Sequence, residues 1–171
     1  MRLIADAPKI DQMLDALAAD IRKGVKDPSR LAFIGIRRRG DVLAARLAAK
    51  MGITEVGSID ITLYRDDLSE TGAAARVGRT AIPFSVVGRE IILCDDVIMT
   101  GRSILAALRE ILDFGRPERI HLAVLAERPE REIPIQPEFA AVRLTPGPGE
   151  KIDVRLMPQD DRDAISINER A

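Results

Sequence analysis

Ile91-Ile92-Leu93-Cys94-Asp95-Asp96-Val97-Ile98-Met99-Thr100-Gly101-Arg102-Ser103 is the stretch that decides how this chain folds. Four apolar residues read as a buried strand, stopped by the two adjacent carboxylates. A short loop leads into a helix predicted from about Ser103 to Phe114, with Gly115 and Pro117 as its stop. The first N–H groups of a helix are unpaired and carry the positive end of its dipole, which suits a phosphate. Gly101 allows close backbone approach or positive φ, and Thr100 and Ser103 add hydroxyl donors. Asp95 and Asp96 would repel a phosphate at contact distance but accept hydrogen bonds from the vicinal hydroxyls of a sugar. Phosphate donors beside a hydroxyl-binding acid pair describe a site for a phosphorylated ribose.

Working outward, the same strand–loop–helix order recurs. Leu31–Ile36 is a second apolar run, followed by Arg37-Arg38-Arg39-Gly40 and a helix ending near Gly52. A helix is predicted over Ile10–Val25, with Ile10, Met13, Leu14, Leu17, Ala18 and Ile21 on one face. Val56–Tyr64 alternates as a strand, and Ile120–Leu125 is a further buried one. Val142–Leu144, Ile152–Met157 and Ala164–Ile167 are weaker strand candidates. Strands alternating with helices imply βαβ units and a mostly parallel sheet, so the polar loops after Ile36 and Cys94 share the edge where ligands bind. Arg65–Thr80 is long, polar and without period, the pattern of a functional lid.

The chain has 171 residues, enough for one domain with its own core. Aromatic residues are only 3% and Trp is absent, so that core is aliphatic. With 26 basic and 27 acidic residues, global charge gives no argument for nucleic-acid binding, and any anion site must be local. Cys94 is the single cysteine, so no intrachain disulfide forms, which agrees with a reducing cytoplasm. No apolar run approaches the roughly 20 residues that cross a bilayer, and the N-terminus lacks a secretory signal pattern. His121, inside an apolar strand, and Cys94 read as structural.

The Asp95–Ser103 segment resembles the motif with which type I phosphoribosyltransferases bind 5-phosphoribosyl-1-pyrophosphate (PRPP). Within that superfamily the chain looks most like the PyrR family, pyrimidine-operon attenuators with uracil phosphoribosyltransferase activity. The resemblance runs from about Ile4 to Ile167. It includes Gly35–Gly40 with Leu43–Leu47, Gly115-Arg116-Pro117, Leu122–Leu125 and Arg131–Ile135. Asp60-Ile61-Thr62-Leu63-Tyr64-Arg65-Asp66-Asp67-Leu68 is its most distinctive match. It implies one phosphoribosyltransferase domain over residues 1–171: an α/β fold with a mostly parallel central sheet flanked by helices and a small β-rich hood.

The resemblance also assigns roles. Asp95, Asp96, Val97, Ile98, Met99, Thr100, Gly101, Arg102 and Ser103 bind PRPP or nucleotide. Arg38 and Arg39 form the pyrophosphate loop, and Arg39, Arg65, Asp95 and Asp96 are the catalytic candidates. Arg65 belongs to a lid. Arg128 and Ile152 match base-site positions. Mg²⁺ arrives with PRPP, with no metal bound directly by the protein. The implied reaction is PRPP plus uracil to uridine monophosphate (UMP) and pyrophosphate, in the cytoplasm, with no membrane partner and with self-association as a dimer or larger oligomer.

Departures cluster on the surface expected to meet RNA. The first helix presents Asp11, Asp15, Ala16 and Ala19, and acids there repel a phosphodiester backbone. Arg128-Pro129-Glu130-Arg131-Glu132 lacks a Gly and a His of the family's pattern, and Thr145-Pro146-Gly147-Pro148-Gly149 lacks a Lys. In the PRPP loop, away from that surface, Met99 stands where Tyr is common. The changes on the RNA surface argue against attenuation. Two readings remain: an enzyme, which the intact acid pair and pyrophosphate loop favour, and a nucleotide-sensing RNA regulator, which a basic oligomer surface would favour. A phospho-acceptor receiver is disfavoured, because the acid pair lies past mid-chain and leads directly into Thr-Gly.

Overall fold

The computed structural model describes residues 1–61 and 80–169. Five strands form a parallel sheet in the order β3-β2-β4-β5-β6: β2 Leu31–Ile36, β3 Val56–Ile59, β4 Glu90–Ile98, β5 Arg119–Glu127 and β6 Phe139–Arg143. Both faces are covered, which is why the central strands are continuous apolar runs. Alternate residues split between two cores. Phe33, Ile92, Cys94, Ala123 and Leu125 face α1 (Ala7–Gly24) and α2 (Gly40–Met51), whereas Ile34, Ile91, Leu93 and Val124 face α3 (Arg102–Asp113).

Helix α1 begins earlier than its apolar period suggests. Asp6 caps it by accepting the Lys9 N–H at 3.1 Å, and Pro8 sits in the first turn, where its missing N–H costs nothing. Arg22 and Lys23 stand in the last turn, where the dipole favours cations. The start of α2 lies hard against the sheet. A Cβ on Gly35 would come within 2.2 Å of the Gly40 carbonyl oxygen and 2.3 Å of Asp41 Cα. Only glycine permits this approach, which sets the Arg37–Gly40 turn on the carboxyl edge of the sheet.

A second, antiparallel sheet in the order β1-β8-β7 forms the hood, from β1 Arg2–Asp6, β7 Glu150–Arg155 and β8 Ala164–Glu169. The sequence suggested no strand at the N-terminus; β1 exists because it pairs with the far end of the chain, Arg2 against Ile167. Ion pairs tie the hood to α2: Arg46 holds both oxygens of Asp163, at 2.6 and 2.9 Å, and the Met157 carbonyl at 2.6 Å.

At the opposite, amino edge of the large sheet, His121 is buried between two carboxylates. Its Nε2 lies 2.9 Å from Glu90 and its Nδ1 2.7 Å from Glu138. The other Glu90 oxygen accepts the N–H groups of Lys26 (3.0 Å) and Asp27 (3.2 Å). Burial alone would raise the Glu90 carboxyl, but the hydrogen bonds from His121, Lys26 and Asp27 outweigh it and hold the group below the usual carboxylate range. His121 is thus a structural bracket far from the carboxyl edge.

Candidate active site

Strand β4 does not stop at the two acids, as the sequence suggested. Its ladder with β5 continues through Asp95–Val124, Val97–Ala126 and Ile98–Glu127, because β5 offers a partner edge that is itself buried to its end. Each acid also satisfies the next main-chain donor: Asp95 accepts the Asp96 N–H at 3.0 Å and Asp96 accepts the Val97 N–H at 2.8 Å. Asp95 is buried and Asp96 half-buried.

Beyond Ile98 the chain turns through Met99 and Thr100 into Gly101, whose φ of 90° is comfortable only for glycine, and which caps α3. Among the described residues the N–H groups of Thr100 and Gly101 make no hydrogen bond. The result is the donor-rich helix opening expected of the sequence. A cavity of ≈ 350 Å³ lies over it, lined by Asp95, Val97, Ile98, Met99, Thr100, Gly101, Ser103, Ile104, Arg128, Lys151 and Ile152.

The cavity thereby joins the β4–α3 loop to Arg128 after β5 and to Ile152 on the hood, residues far apart in sequence. Buried Arg128 is paired in a fork with Glu130, at 3.1 and 2.7 Å, and this bond holds the Glu130 carboxyl below its ordinary range. Lys151 makes no ion pair among the described residues and leaves an uncompensated ammonium on the wall. The sequence pattern does not single out Lys151, although it stands immediately beside Ile152 and close after residues 145–149, where the family's lysine is absent.

Asp96, Arg38, Arg39 and Arg102 are outside the cavity wall. Arg102 is exposed and bonded to Glu132 at 2.6 Å. The Arg37–Arg38 peptide is cis, and Arg38 is exposed without an ion pair among the described residues. Arg39, with φ 72°, adopts a backbone conformation rare for a residue with a Cβ. Its guanidinium grips Asp160 of the hood at 2.8 and 2.9 Å. That bond raises the Arg39 pKa, with smaller contributions from Asp96 and Asp153, and lowers that of Asp160. Arg65, Tyr64 and the expected lid up to residue 79 lie outside the described residues. The ends flanking them meet at one place: Ser58 and Ala81 exchange two 2.8 Å main-chain bonds, and Thr80 accepts the Asp60 N–H at 3.2 Å. Cys94 is buried and its thiol is pushed far up by burial, so it is no nucleophile.

The phosphoribosyl transferase domain family matches residues 3–145. A bifunctional protein PyrR of Elusimicrobium minutum is 40% identical over 171 residues, covering 97% of this chain and 96% of the relative. One from a Roseiflexus species is 46% identical over 165 residues, covering 92% and 88%. The chain belongs to the PyrR family. The fold is also that of a hypoxanthine-guanine phosphoribosyltransferase of Bacillus anthracis, with a TM-score of 0.73, 16% identity, and 97% and 98% of the two chains covered. In this member of the PyrR family, Asp11 and Asp15 on α1 both bind Lys50 of α2 at 2.7 Å. The acidic face seen in the sequence is therefore braced against α2.

Proposed function

We propose that the chain transfers the 5-phosphoribosyl group of PRPP to uracil, giving UMP and pyrophosphate. The observation that carries this reading is the single cavity in which the free amides of Thr100 and Gly101, the Ser103 residue and the buried Asp95 meet Arg128, Lys151 and Ile152. An anion at the helix opening, a hydroxylated ring beside the acid and a polar planar base toward the hood fit that order of groups.

The roles follow. Thr100, Gly101 and Ser103 hold the 5′-phosphate. Asp95 and Asp96 accept the ribose hydroxyls and oppose the positive charge that develops at C1 as pyrophosphate departs. Arg38 and Arg39, on the turn entering α2, meet the pyrophosphate, and Arg65, which lies outside the described residues, is the further catalytic candidate. Arg128, Lys151 and the Ile152 backbone read the base, so that uracil N1 attacks C1. Catalysis here is positioning and charge stabilisation.

Among the described residues, no group of three or more carboxylate, imidazole or thiol side chains is placed to hold a metal. Mg²⁺ would arrive on PRPP, where it would neutralise pyrophosphate charge, with Asp95 and Asp96 serving as acceptors for the ribose hydroxyls. Among the described residues no helix is long and apolar enough to cross a membrane. A cytoplasmic, self-associating protein completes the proposal.

The test is pyrophosphate release from PRPP with Mg²⁺ against a panel of bases. Release with uracil, abolished by Asp95→Asn with Asp96→Asn, supports the reading. Tight UMP binding without release for any base favours a nucleotide-sensing RNA regulator, the second role that the relatives' bifunctional name admits. Absence of both PRPP and UMP uptake in calorimetry would overturn the site.

A further inference from the structure

Arg131 lies outside the cavity wall, yet all five of its N–H donors are used. Nε donates to the Ile135 carbonyl (2.9 Å), and Nη1 to the carbonyls of Met99 (2.6 Å) and Arg128 (2.5 Å). Nη2 donates to Glu127 Oε1 (2.7 Å) and Gln136 Oε1 (3.4 Å). The side chain is 10% exposed, and the second Glu127 oxygen is held by Arg143 at 2.8 Å.

The three carbonyls at the β4–α3 turn are all taken by the chain after β5. Ile98 accepts the Arg128 N–H at 2.9 Å, and Thr100 accepts those of Glu132 and Ile133 at 3.0 Å each. Met99, between them, is held by the Arg131 side chain. Peptide units are planar and trans, so each N–H points opposite to the carbonyl before it. Fixing the Met99 and Thr100 carbonyls therefore fixes the Thr100 and Gly101 amides on the far side, where they have no partner among the described residues. Backbone bonds secure two of these peptides whatever the side chains. The Met99–Thr100 peptide depends on Arg131. Were it to rotate, a carbonyl oxygen would replace an amide donor toward the anion.

We propose that Arg131 is the positioning residue of the phosphate loop, setting the Met99–Thr100 peptide so that its amide faces the 5′-phosphate. This rests on the phosphoribosyl-transfer reading. Lysine cannot substitute, because its point charge lacks the fork that spans Met99, Arg128 and Glu127 together.

The experiment compares the parent with Arg131→Lys, Arg131→Ala and Glu127→Gln in three measurements: calorimetric affinity for PRPP–Mg²⁺ and UMP, KM for uracil, and melting temperature. PRPP and UMP share the 5′-phosphate, so both should weaken on the order of 10- to 100-fold in the Arg131 variants, the cost of a misplaced binding group, while the uracil KM stays near that of the parent. Ethylguanidinium should restore part of the PRPP affinity of Arg131→Ala. Glu127→Gln should lose stability and keep its PRPP affinity, because the Met99 bond survives. Unchanged PRPP affinity in folded Arg131→Lys, or an equal loss in Glu127→Gln, would overturn the proposal and leave Arg131 as cement. A parent protein that takes up neither PRPP nor UMP sinks the underlying reading, and this inference with it, before any variant is made.

Discussion

Replacing Glu90 with alanine should destabilise the protein strongly while leaving the cavity intact. The substitution strips the acceptor from His121 Nε2 and from the N–H groups of Lys26 and Asp27. His121 and Glu90 have side-chain exposures of 1% and 2%, so water cannot reach the ring nitrogen without rearrangement. An unsatisfied buried partner costs about 1–3 kcal/mol, and the two main-chain donors are only part-buried, so the total should be about 3–5 kcal/mol. At this chain length 1 kcal/mol moves Tm by roughly 2–4 °C, which gives a fall of about 6–20 °C. Strand β4 advances about 3.3 Å per residue, so Glu90 lies roughly 25 Å from Ile98 and the cavity. Scanning calorimetry of Glu90→Ala beside PRPP titration at 25 °C checks both halves, with Glu90→Gln, which keeps one acceptor oxygen, expected between parent and Ala. A Tm within about 2 °C of the parent, or PRPP affinity falling in step with stability, would show that the bracket does not work independently of the site.

Other consequences can be measured directly. Glu90, Asp160 and Asp163 all have carboxyls held below their ordinary range in the fold, Asp163 by its bond from Arg46. A depressed folded pKa contributes stability that is complete above the unfolded carboxylate value and is lost as pH falls through the folded one. Urea midpoints should therefore drop below about pH 4, and Asp163→Asn should flatten that acid limb. Gly35→Ala drives a Cβ into backbone at 2.2 Å, where nothing flexible can yield. It should cost about 3 kcal/mol or more in denaturant titrations and shift the Arg37–Gly40 turn, lowering turnover as well. Lys151→Gln removes the uncompensated cation on the cavity wall. The uracil KM should rise roughly tenfold or more, with Tm nearly unchanged, because an exposed side chain contributes little to folding.

What could be read from the chain, and what could not, follows the range of the interactions concerned. The β4–α3 turn was legible because its chemistry is local: a strand, a glycine with positive φ and a helix opening need only consecutive residues. The parallel sheet and its two-sided burial were legible because continuous apolar runs have few other places to go. Features that depend on partners distant in sequence were not. Strand β1 has Leu3-Ile4-Ala5 as its only apolar signal and is made a strand by β8 at the other end of the chain. The acid pair looked like a strand end because carboxylates seldom continue a buried ladder; the edge of β5 carries them through. Arg39, expected at the pyrophosphate, is held in place by Asp160, a partner across more than a hundred residues of sequence that its own stretch does not announce. Arg131 looked like one charge in a basic-acidic run whose departures concerned RNA. Its fork meets Met99, Arg128 and Glu127 only because β4 and β5 lie in register to their last pair, Ile98 and Glu127. The motif thus supplies the groups that meet a ligand, while the scaffold that aims them comes from segments whose own sequence carries no sign of it. For this site, then, substitutions behind the loop should be as informative as substitutions in it.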